Sequence, residues 1–248
     1  MGPFLCYTIP ILRKGGLYMV ILTGDTHGDF KRVGALCDKL NTSTADTLII
    51  LGDAGINYAG GAKEYWFKHK LSEHLPIGLL CVHGNHERRP ESMGSYKQVE
   101  WNGGIVYAEP QFPNLRFAKD GEIYNIAGKK CIAIGGAYSV DKPFRLAEGW
   151  HWFADEQPSL EIKARVEQRL AAEGWKVDVV LSHTCPLKYE PRETFIQGIE
   201  QSGVDKSTEL WLGGIEERLD YGAWYCGHYH TSKVIDRMRF MFEDFISF

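Results

Sequence analysis

The feature that most constrains this chain is a set of short apolar runs, each followed by a glycine or polar cluster. Five such pairs occur in the 248 residues: MVILT before GDTHGD, TLIIL before GDAGIN, IGLLCV before HGNHERR, VDVVLS before HTCP, and AWYC before GHYH. Runs of this length that are rich in Val, Ile and Leu are typical of buried strands. The sequence therefore predicts five strands whose carboxyl ends carry polar side chains.

Helix-like segments lie between these runs and have the apolar spacing of helices that pack on a sheet. They cover Phe30 to Leu40, Ala62 to Leu75, Pro158 to Glu173 and Ser207 to Leu219. Strands that alternate with helices predict a layered α/β sheet. In such sheets, ligands bind beyond the carboxyl ends of the strands, which is where all five polar clusters fall.

The alternation of strands and helices breaks between Gly104 and Ala137. Four β-like runs follow one another there, separated by turn residues: IVYA, LRFA, EIYNIA and KKCIAI. This pattern predicts a second sheet packed on the first, and SKVIDRMRFMFEDF adds a hairpin about Asp236-Arg237. Because no linker or repeat interrupts the chain, we predict a single domain over residues 19–248. Residues 1–18 lack the features of a signal peptide, and we expect a disordered extension there.

Composition excludes several classes of protein. The chain is 44% hydrophobic and 24% charged, with a formal net charge of -4, which is ordinary for a globular protein and lacks the excess basic charge of a nucleic-acid-coating surface. No apolar run is long enough to cross a bilayer, so no membrane partner is expected. The cysteines are scattered without a paired motif, which predicts free thiols and a cytoplasmic protein. They are Cys6, Cys37, Cys81, Cys131, Cys185 and Cys226.

The polar residues at the predicted strand ends form a set of candidate metal ligands. The set is Asp25, His27, Asp53, Asn85, His86, His183, His228 and His230. Oxygen and imidazole donors without a thiolate motif suit Mn, Fe, Zn, Co or Ni better than a structural zinc site. If GHYH is extended, His228 and His230 point to the same side. Each residue alone has a structural alternative, such as a helix cap, a turn or a packed histidine.

The order of these motifs resembles the calcineurin-like metallophosphoesterase family. The matching blocks are GDTHG at Gly24–Gly28, GD at Gly52–Asp53, GNHE at Gly84–Glu87, SH at Ser182–His183 and GHYH at Gly227–His230. The resemblance extends from Met19 to about the last predicted hairpin. It implies an α/β fold in which a two-sheet β-sandwich is flanked by helices, in agreement with the strand and helix pattern.

The resemblance also implies a centre of two divalent transition metal ions, of which Mn is the favoured one. One ion would be held by Asp25, His27, Asp53 and His230. The other would be held by Asp53, Asn85, His183 and His228, with Asp53 bridging the two. Two cations roughly 3.5–4 Å apart can clamp a phosphoryl group and lower the pKa of a bridging water toward neutrality. His86 would then be free to hold the phosphate and protonate the leaving oxygen.

The predicted function is the metal-dependent hydrolysis of a phosphodiester or phosphomonoester, with Asp53, Asn85 and His86 at the reacting centre. The second block reads GDAGINY and lacks the acidic and arginine partners of the phosphoprotein-phosphatase branch, which argues against a serine/threonine protein phosphatase. The chain is more similar to compact bacterial or phage members. Two alternatives stay open: a nuclease or nucleic-acid end-processing phosphatase, and a non-catalytic protein-binding scaffold. The sequence leaves oligomeric state and binding of long nucleic acids open.

Three residues outside the ligand set are candidates for substrate binding. Trp152 lies in Tyr138 to Pro158, a polar and aromatic segment that could be a lid which stacks on a nucleotide-like ring or a loop that packs on itself. Arg88 follows GNHE directly, and Arg192 lies in the segment after His183. Either arginine could bind phosphate, or could only pair with a nearby acid.

Overall fold

The computed structural model describes residues 18–195, 198 and 200–248. The predicted extension therefore lies outside the described residues, except for Tyr18. Within the described part of the chain, the strands form two sheets, and helices flank them. This confirms the predicted two-sheet α/β fold.

The first sheet contains seven strands within the described residues. They are β1 (Val20–Thr23), β2 (Thr47–Ile50), β3 (Gly78–Cys81), β4 (Lys97–Trp101), β5 (Gly104–Ala108), β6 (Leu115–Ala118) and β13 (Ile246–Ser247). Their spatial order is β13-β1-β2-β3-β6-β5-β4. Strands β1, β2, β3 and β6 are neighbours that pair in parallel, so their carboxyl ends meet at one edge of the sheet.

The second sheet contains six strands of the same described ranges. They are β7 (Ile123–Ile126), β8 (Lys129–Ile134), β9 (Lys176–Ser182), β10 (Asp220–Cys226), β11 (Lys233–Ile235) and β12 (Met238–Phe240). Their order is β11-β12-β10-β9-β8-β7, and β8, β9, β10 and β12 are parallel. The antiparallel β11–β12 pair confirms the predicted C-terminal hairpin.

Five α-helices of the described residues flank the two sheets, and all but the short third one contribute buried side chains to the apolar clusters. Their bounds are α1 (Lys31–Leu40), α2 (Gly61–His74), α3 (Lys142–Ala147), α4 (Leu160–Ala172) and α5 (Ser207–Glu216). Helix α4 shows how sequence specifies such an element: the Ser159 hydroxyl caps it by accepting from the Ile162 backbone N–H, and Ile162, Val166 and Leu170 are buried on one face. Each such side chain contributes about 1.5–3 kcal/mol through burial.

The middle of the chain differs from the sequence prediction. The four runs between Gly104 and Ala137 do not build one additional sheet: β5 and β6 join the first sheet, and β7 and β8 join the second. The physical reason is that β6 pairs in parallel with β3, from Leu79 with Leu115 to Cys81 with Phe117. A strand of the predicted hairpin region thereby extends the first sheet.

The described cysteines, which exclude Cys6, are free and buried. They are Cys37, Cys81, Cys131, Cys185 and Cys226. Among the described residues, no helix has the length and apolar character needed to cross a membrane.

Candidate metal centre

The predicted ligands come together at the carboxyl ends of strands from both sheets. In the first sheet, Asp25 and His27 follow β1, Asp53 follows β2, and Asn85 and His86 follow β3. In the second sheet, His183 follows β9 directly, and His228 and His230 follow β10. Carboxylate and imidazole atoms lie within 4.8 Å of one another in two overlapping groups, which are Asp25 with His27 and His230, and Asp25 with Asp53 and His183.

The first group surrounds a buried carboxylate oxygen. His230 Nε2 lies 3.2 Å from Asp25 Oδ2, and His27 Nε2 lies 2.9 Å from His230 Nε2 and 3.8 Å from Asp25 Oδ2. No donor among the described residues is aligned with Asp25 Oδ2 as a hydrogen bond, although this oxygen is buried. A buried carboxylate oxygen without an aligned hydrogen bond is costly, and metal bonds of about 2.0–2.2 Å place neighbouring ligand atoms about 3 Å apart. The group therefore fits a divalent cation.

A second set of ligand atoms surrounds His183 Nε2. His183 Nδ1 donates to the Leu51 carbonyl at 2.8 Å, so the neutral form of the ring would present the lone pair of Nε2. That Nε2 faces Asn85 Oδ1 at 2.8 Å and lies 3.7 Å from Asp53 Oδ1. In that neutral form, Nε2 and Asn85 Oδ1 are both acceptors, and a cation bound beside them would remove their mutual repulsion. The donor set here also fits a metal ion.

A hydrogen-bonded chain fixes which atom Asn85 presents. Its Nδ2 donates to Ser139 Oγ at 2.9 Å, and Ser139 Oγ in turn donates to Glu156 Oε2 at 2.5 Å. Asn85 Oδ1 is thereby directed toward His183. Sequence analysis missed Ser139 and Glu156, because no motif connects them to a residue more than 50 positions away.

Glycines before the ligands allow the close packing of the centre. A Cβ on Gly52 would lie 1.9 Å from His183 Nδ1, one on Gly84 would lie 2.0 Å from Asp53 Oδ1, and one on Gly227 would lie 2.2 Å from Asp25 Oδ1. Real Cβ atoms do not approach other heavy atoms this closely. The glycines of the GD, GNHE and GHYH blocks are therefore steric requirements of the site.

Several of the ligand-bearing residues have left-handed backbone conformations. The φ angles are 47° for His27, 48° for Asp53, 67° for His228 and 46° for His230. The interpretation of GHYH as an extended segment is therefore wrong, because positive φ turns the chain at both histidines. Such conformations are uncommon for residues other than glycine, and they cluster at functional sites.

Burial and charge set the protonation of the ligands. Burial alone would raise the pKa of Asp53, but the neighbouring histidines, His183 first, bring this pKa below its ordinary value. Burial lowers the pKa of His228 to about 3. The carboxylate and the neutral imidazole are the forms that bind metal ions, so both ligands are ready at neutral pH.

His86 contacts an arginine that the sequence analysis did not select. Arg145, on α3, lies with its Nη2 3.2 Å from His86 Nε2, and Asn85 Nδ2 lies 3.2 Å from the same nitrogen. Because a guanidinium can only donate, Nε2 of His86 is an acceptor in this arrangement. Burial lowers the pKa of His86; the Asp53 carboxylate opposes this effect, and Arg145 adds to it.

The three predicted substrate-binding residues lie among other partners. Arg88 pairs with Glu64, with 2.6 Å between Nη2 and Oε2. Trp152 donates from its indole nitrogen to Glu156 Oε2 at 2.8 Å, and Arg192 is exposed in a 3-10 turn. All three remain predictions, although none of them lines the cavity of about 300 Å³ beside the ligands in the described structure.

Residues that line this cavity outside the ligand set and His86 come mainly from two segments. One segment carries Tyr138, Val140, Asp141 and Arg145, and the other includes Glu190, Phe195, Val204, Asp205, Lys206 and Glu209. Lys206 pairs with Glu190 at 2.6 Å, and the Phe195 and Tyr229 rings stack with centroids 6.4 Å apart. The cavity therefore offers both aromatic and charged surface next to the metal ligands.

Comparison with known proteins agrees with this geometry. The family model described as calcineurin-like phosphoesterase matches residues 18–232, which is most of the chain. The chain belongs to the calcineurin-like phosphoesterase family. Membership implies a metal-dependent hydrolase that acts on phosphate esters, and it confirms the resemblance stated from the motifs.

Similarity to individual proteins is more distant. TT1561 of Thermus thermophilus is 14% identical, over 90% of this chain and 87% of that chain, with a TM-score of 0.45. AQ665 from Aquifex aeolicus, titled a protein of unknown function, is 16% identical over 70% of this chain and 82% of that chain, with a TM-score of 0.29. No curated protein gives a significant match.

Proposed function

We propose that this protein hydrolyses phosphate esters with two divalent metal ions. One ion would be held by Asp25, His27, Asp53 and His230, and the other by Asp53, Asn85, His183 and His228. The observation that carries the proposal is the meeting of carboxylate, imidazole and amide ligand atoms around Asp25 and His183, where the nearest pairs are 2.8–3.2 Å apart. Such ions, when bound, supply charge that holds phosphoryl oxygens and acidifies water.

The chain's own residues would orient the substrate and handle the proton of the leaving group. His86 Nε2 lies 4.0 Å from Asp53 Oδ2, and the side chain is 18% exposed, so it can reach both the ligand cluster and the cavity. We assign His86 as the group that protonates the leaving oxygen. This role needs a proton on Nε2, and the donors that face this nitrogen would have to move aside for it.

The substrate that we propose is a small phosphate ester, nucleotide-like in size. A cavity of about 300 Å³ suits a molecule of this size, and the Phe195 and Tyr229 rings offer apolar surface for a ring. The carboxylates Asp141, Glu190, Asp205 and Glu209 also line it, which disfavours a polyanionic strand. Mn is the favoured metal, and a cytoplasmic location is a further proposal that the free thiols support.

A screen of metals against esters tests the proposal. The purified protein is stripped with a chelator, reloaded with Mn, Zn, Ni, Fe or Co, and assayed on phosphomonoesters, phosphodiesters, dinucleotides and single-stranded nucleic acids. We expect turnover of a small ester that depends on the added metal. A lack of turnover with every metal and ester would favour the non-catalytic scaffold, and turnover of single strands alone would favour a nuclease.

A further inference from the structure

Helix α3 directs one side chain toward the metal ligands and exposes most of the others. Phe144 and Leu146 are more than half exposed, whereas the Arg145 side chain is 11% exposed and lines the cavity. A short helix with apolar side chains in solvent gains little from burial. The contacts that Arg145 makes with Asp141, His151 and His86 therefore help to hold the orientation of the helix.

Each nitrogen of the Arg145 guanidinium has one contact within the protein. Nε donates to Asp141 Oδ2 at 2.8 Å, and Nη1 lies 3.3 Å from the His151 carbonyl. Nη2 points to His86 Nε2 at 3.2 Å. A guanidinium carries five N–H groups, so these three contacts leave N–H groups on both terminal nitrogens for a ligand.

Among the described residues that line the cavity, Arg145 and Lys206 are the arginine and lysine side chains. The Lys206 Nζ is 2.6 Å from Glu190 Oε1 and lies over the Phe195 ring, and neither of these contacts is to a candidate metal ligand or to His86. Arg145 instead contacts His86, which itself lies beside Asp53. Arg145 is therefore the cation that is placed to meet a phosphoryl group beside the ligand cluster.

We propose that Arg145 binds a non-bridging oxygen of the substrate and makes the site prefer phosphomonoesters to phosphodiesters. This inference rests on the proposed phosphoesterase function. A monoester dianion has three non-bridging oxygens, and a diester has two. If two oxygens of either substrate face the metal ligands, only the monoester keeps an anionic oxygen for the guanidinium. Charge-assisted hydrogen bonds from arginine to phosphate are among the strong ones, so the preference is measurable.

The test compares two substrates with the same leaving group. Arg145→Gln and Arg145→Lys are loaded with the metal that supports activity and assayed on p-nitrophenyl phosphate and bis(p-nitrophenyl) phosphate. For Arg145→Gln, kcat/KM should fall about 10- to 100-fold on the monoester and less than about threefold on the diester. Arg145→Lys should recover part of the loss, because lysine restores the positive charge but cannot donate two parallel hydrogen bonds as a guanidinium does.

The matched control is Arg218→Gln, which removes an arginine that lies over Trp175 and beside Glu167, away from the cavity. It should match the parent protein on both esters. Equal losses on both esters in Arg145→Gln, with metal content unchanged, would overturn the proposal, because Arg145 would then only position His86. No loss on either ester would overturn it as well.

A binding measurement separates this inference from the proposed function. Calorimetry with inorganic phosphate on the metal-loaded protein reports the same contact without turnover. Weaker phosphate binding in Arg145→Gln, and unchanged binding in Arg218→Gln, would support the inference even if no ester is hydrolysed. Equal phosphate affinity in the parent and Arg145→Gln would overturn it, whatever the outcome of the metal and ester screen.

Discussion

At the scale of the residue, the two carboxylates of the candidate centre are fixed by backbone contacts that orient them. Asp25 Oδ1 accepts from the His228 backbone N–H at 3.0 Å, and Asp53 Oδ1 accepts from the His86 backbone N–H at 2.8 Å. These bonds hold one oxygen of each carboxylate, leave Asp25 Oδ2 facing His230, and place the two oxygens of Asp53 toward His183 and His27. Preorganised ligands of this kind reduce the ordering that metal binding requires.

Asp53→Ala should abolish activity and weaken the binding of both ions. Asp53 Oδ1 lies 3.7 Å from His183 Nε2, and Oδ2 lies 3.9 Å from His27 Nδ1, so this carboxylate touches both ligand groups. His230→Ala is the comparison, because it should affect one ion more than the other. Metal content per protein, measured by mass spectrometry after dialysis, checks both. Two tightly bound ions in Asp53→Ala would show that the bridging assignment is wrong.

His86→Gln should keep both metal ions and lose turnover according to the leaving group. An alkoxide leaves poorly without a proton, so hydrolysis of an alkyl or ribose ester should fall about 10²- to 10⁴-fold. A nitrophenolate leaves as an anion and should be affected much less. Equal losses on both esters would instead indicate that His86 stabilises the phosphoryl group electrostatically. Loss of a metal would mean that the ligand set has to be reassigned.

Ser139→Ala should loosen metal binding without contacting a metal. The substitution removes the acceptor that orients the Asn85 amide, and the loss of such an outer contact typically costs about 10- to 100-fold in metal affinity or activity. Competition with a fluorescent chelator measures the affinity. Ser159→Ala, which removes the α4 cap instead, is the control and should lower stability while metal affinity stays unchanged. Unaltered affinity in Ser139→Ala would contradict the orienting role.

At the scale of the element, the turns after the strands are specified more tightly than the strands themselves. The strands tolerate any residue of suitable size and β propensity, whereas the turns require glycine where a side chain would meet a ligand atom. A glycine in a helix can lack this steric role. In α1, a Cβ on Gly34 would meet no heavy atom within 4 Å. The two kinds of glycine should therefore respond oppositely to substitution.

Gly84→Ala should disrupt the centre, and Gly34→Ala should stabilise the protein. The first places a Cβ 2.0 Å from Asp53 Oδ1, so the carboxylate must move. The second raises helix propensity and is expected to add about 0.5–1 kcal/mol to the free energy of unfolding. Urea denaturation with metal analysis measures both effects. Normal metal content in Gly84→Ala would show that the turn can relax around the new methyl group.

Elements with a strong apolar pattern were predictable from the sequence, and those without one were not. The five strand ends were placed because buried runs precede them. Strand β4 was missed because its side chains are mostly exposed, and α3 was missed because it has no buried residue. The contact between Arg145 and His86 spans 59 positions, and neither residue's neighbourhood indicates the other. Long-range contacts without a motif depend on the complete fold.

At the scale of the whole molecule, the candidate centre joins the two sheets at one edge. Asp25, Asp53 and Asn85 come from the first sheet, and His183, His228 and His230 come from the second. Away from this edge, the sheets are held by a layer of buried side chains from both, which includes Leu22, Leu80, Val106, Ala133 and Leu181. Bound metal and apolar packing would therefore stabilise the same arrangement of sheets.

Removal of metal should lower the thermal midpoint while the fold persists. A ligand present at 100 times its dissociation constant stabilises the native state by about 2.7 kcal/mol, and chelation removes that contribution. Scanning calorimetry with and without chelator measures the shift. Hydrogen exchange should increase at residues 24–28, 52–55, 84–87 and 226–230, with little change inside α1 or α4. A uniform increase in hydrogen exchange across the chain would indicate that the ions do not bind at this edge.

The supply of ligands by both sheets has a consequence for protein synthesis. Asp25, Asp53 and Asn85 leave the ribosome well before His183 and the GHYH segment, since nearly a hundred residues separate Asn85 from His183. At translation rates of about 5–20 residues per second, this interval lasts about 5–20 s. During it, the nascent chain presents incomplete ligand sets. In the proposed two-ion centre, neither ion could acquire its full ligand set until β9, β10 and the GHYH segment have been translated, so the centre would mature at the final stage of biogenesis.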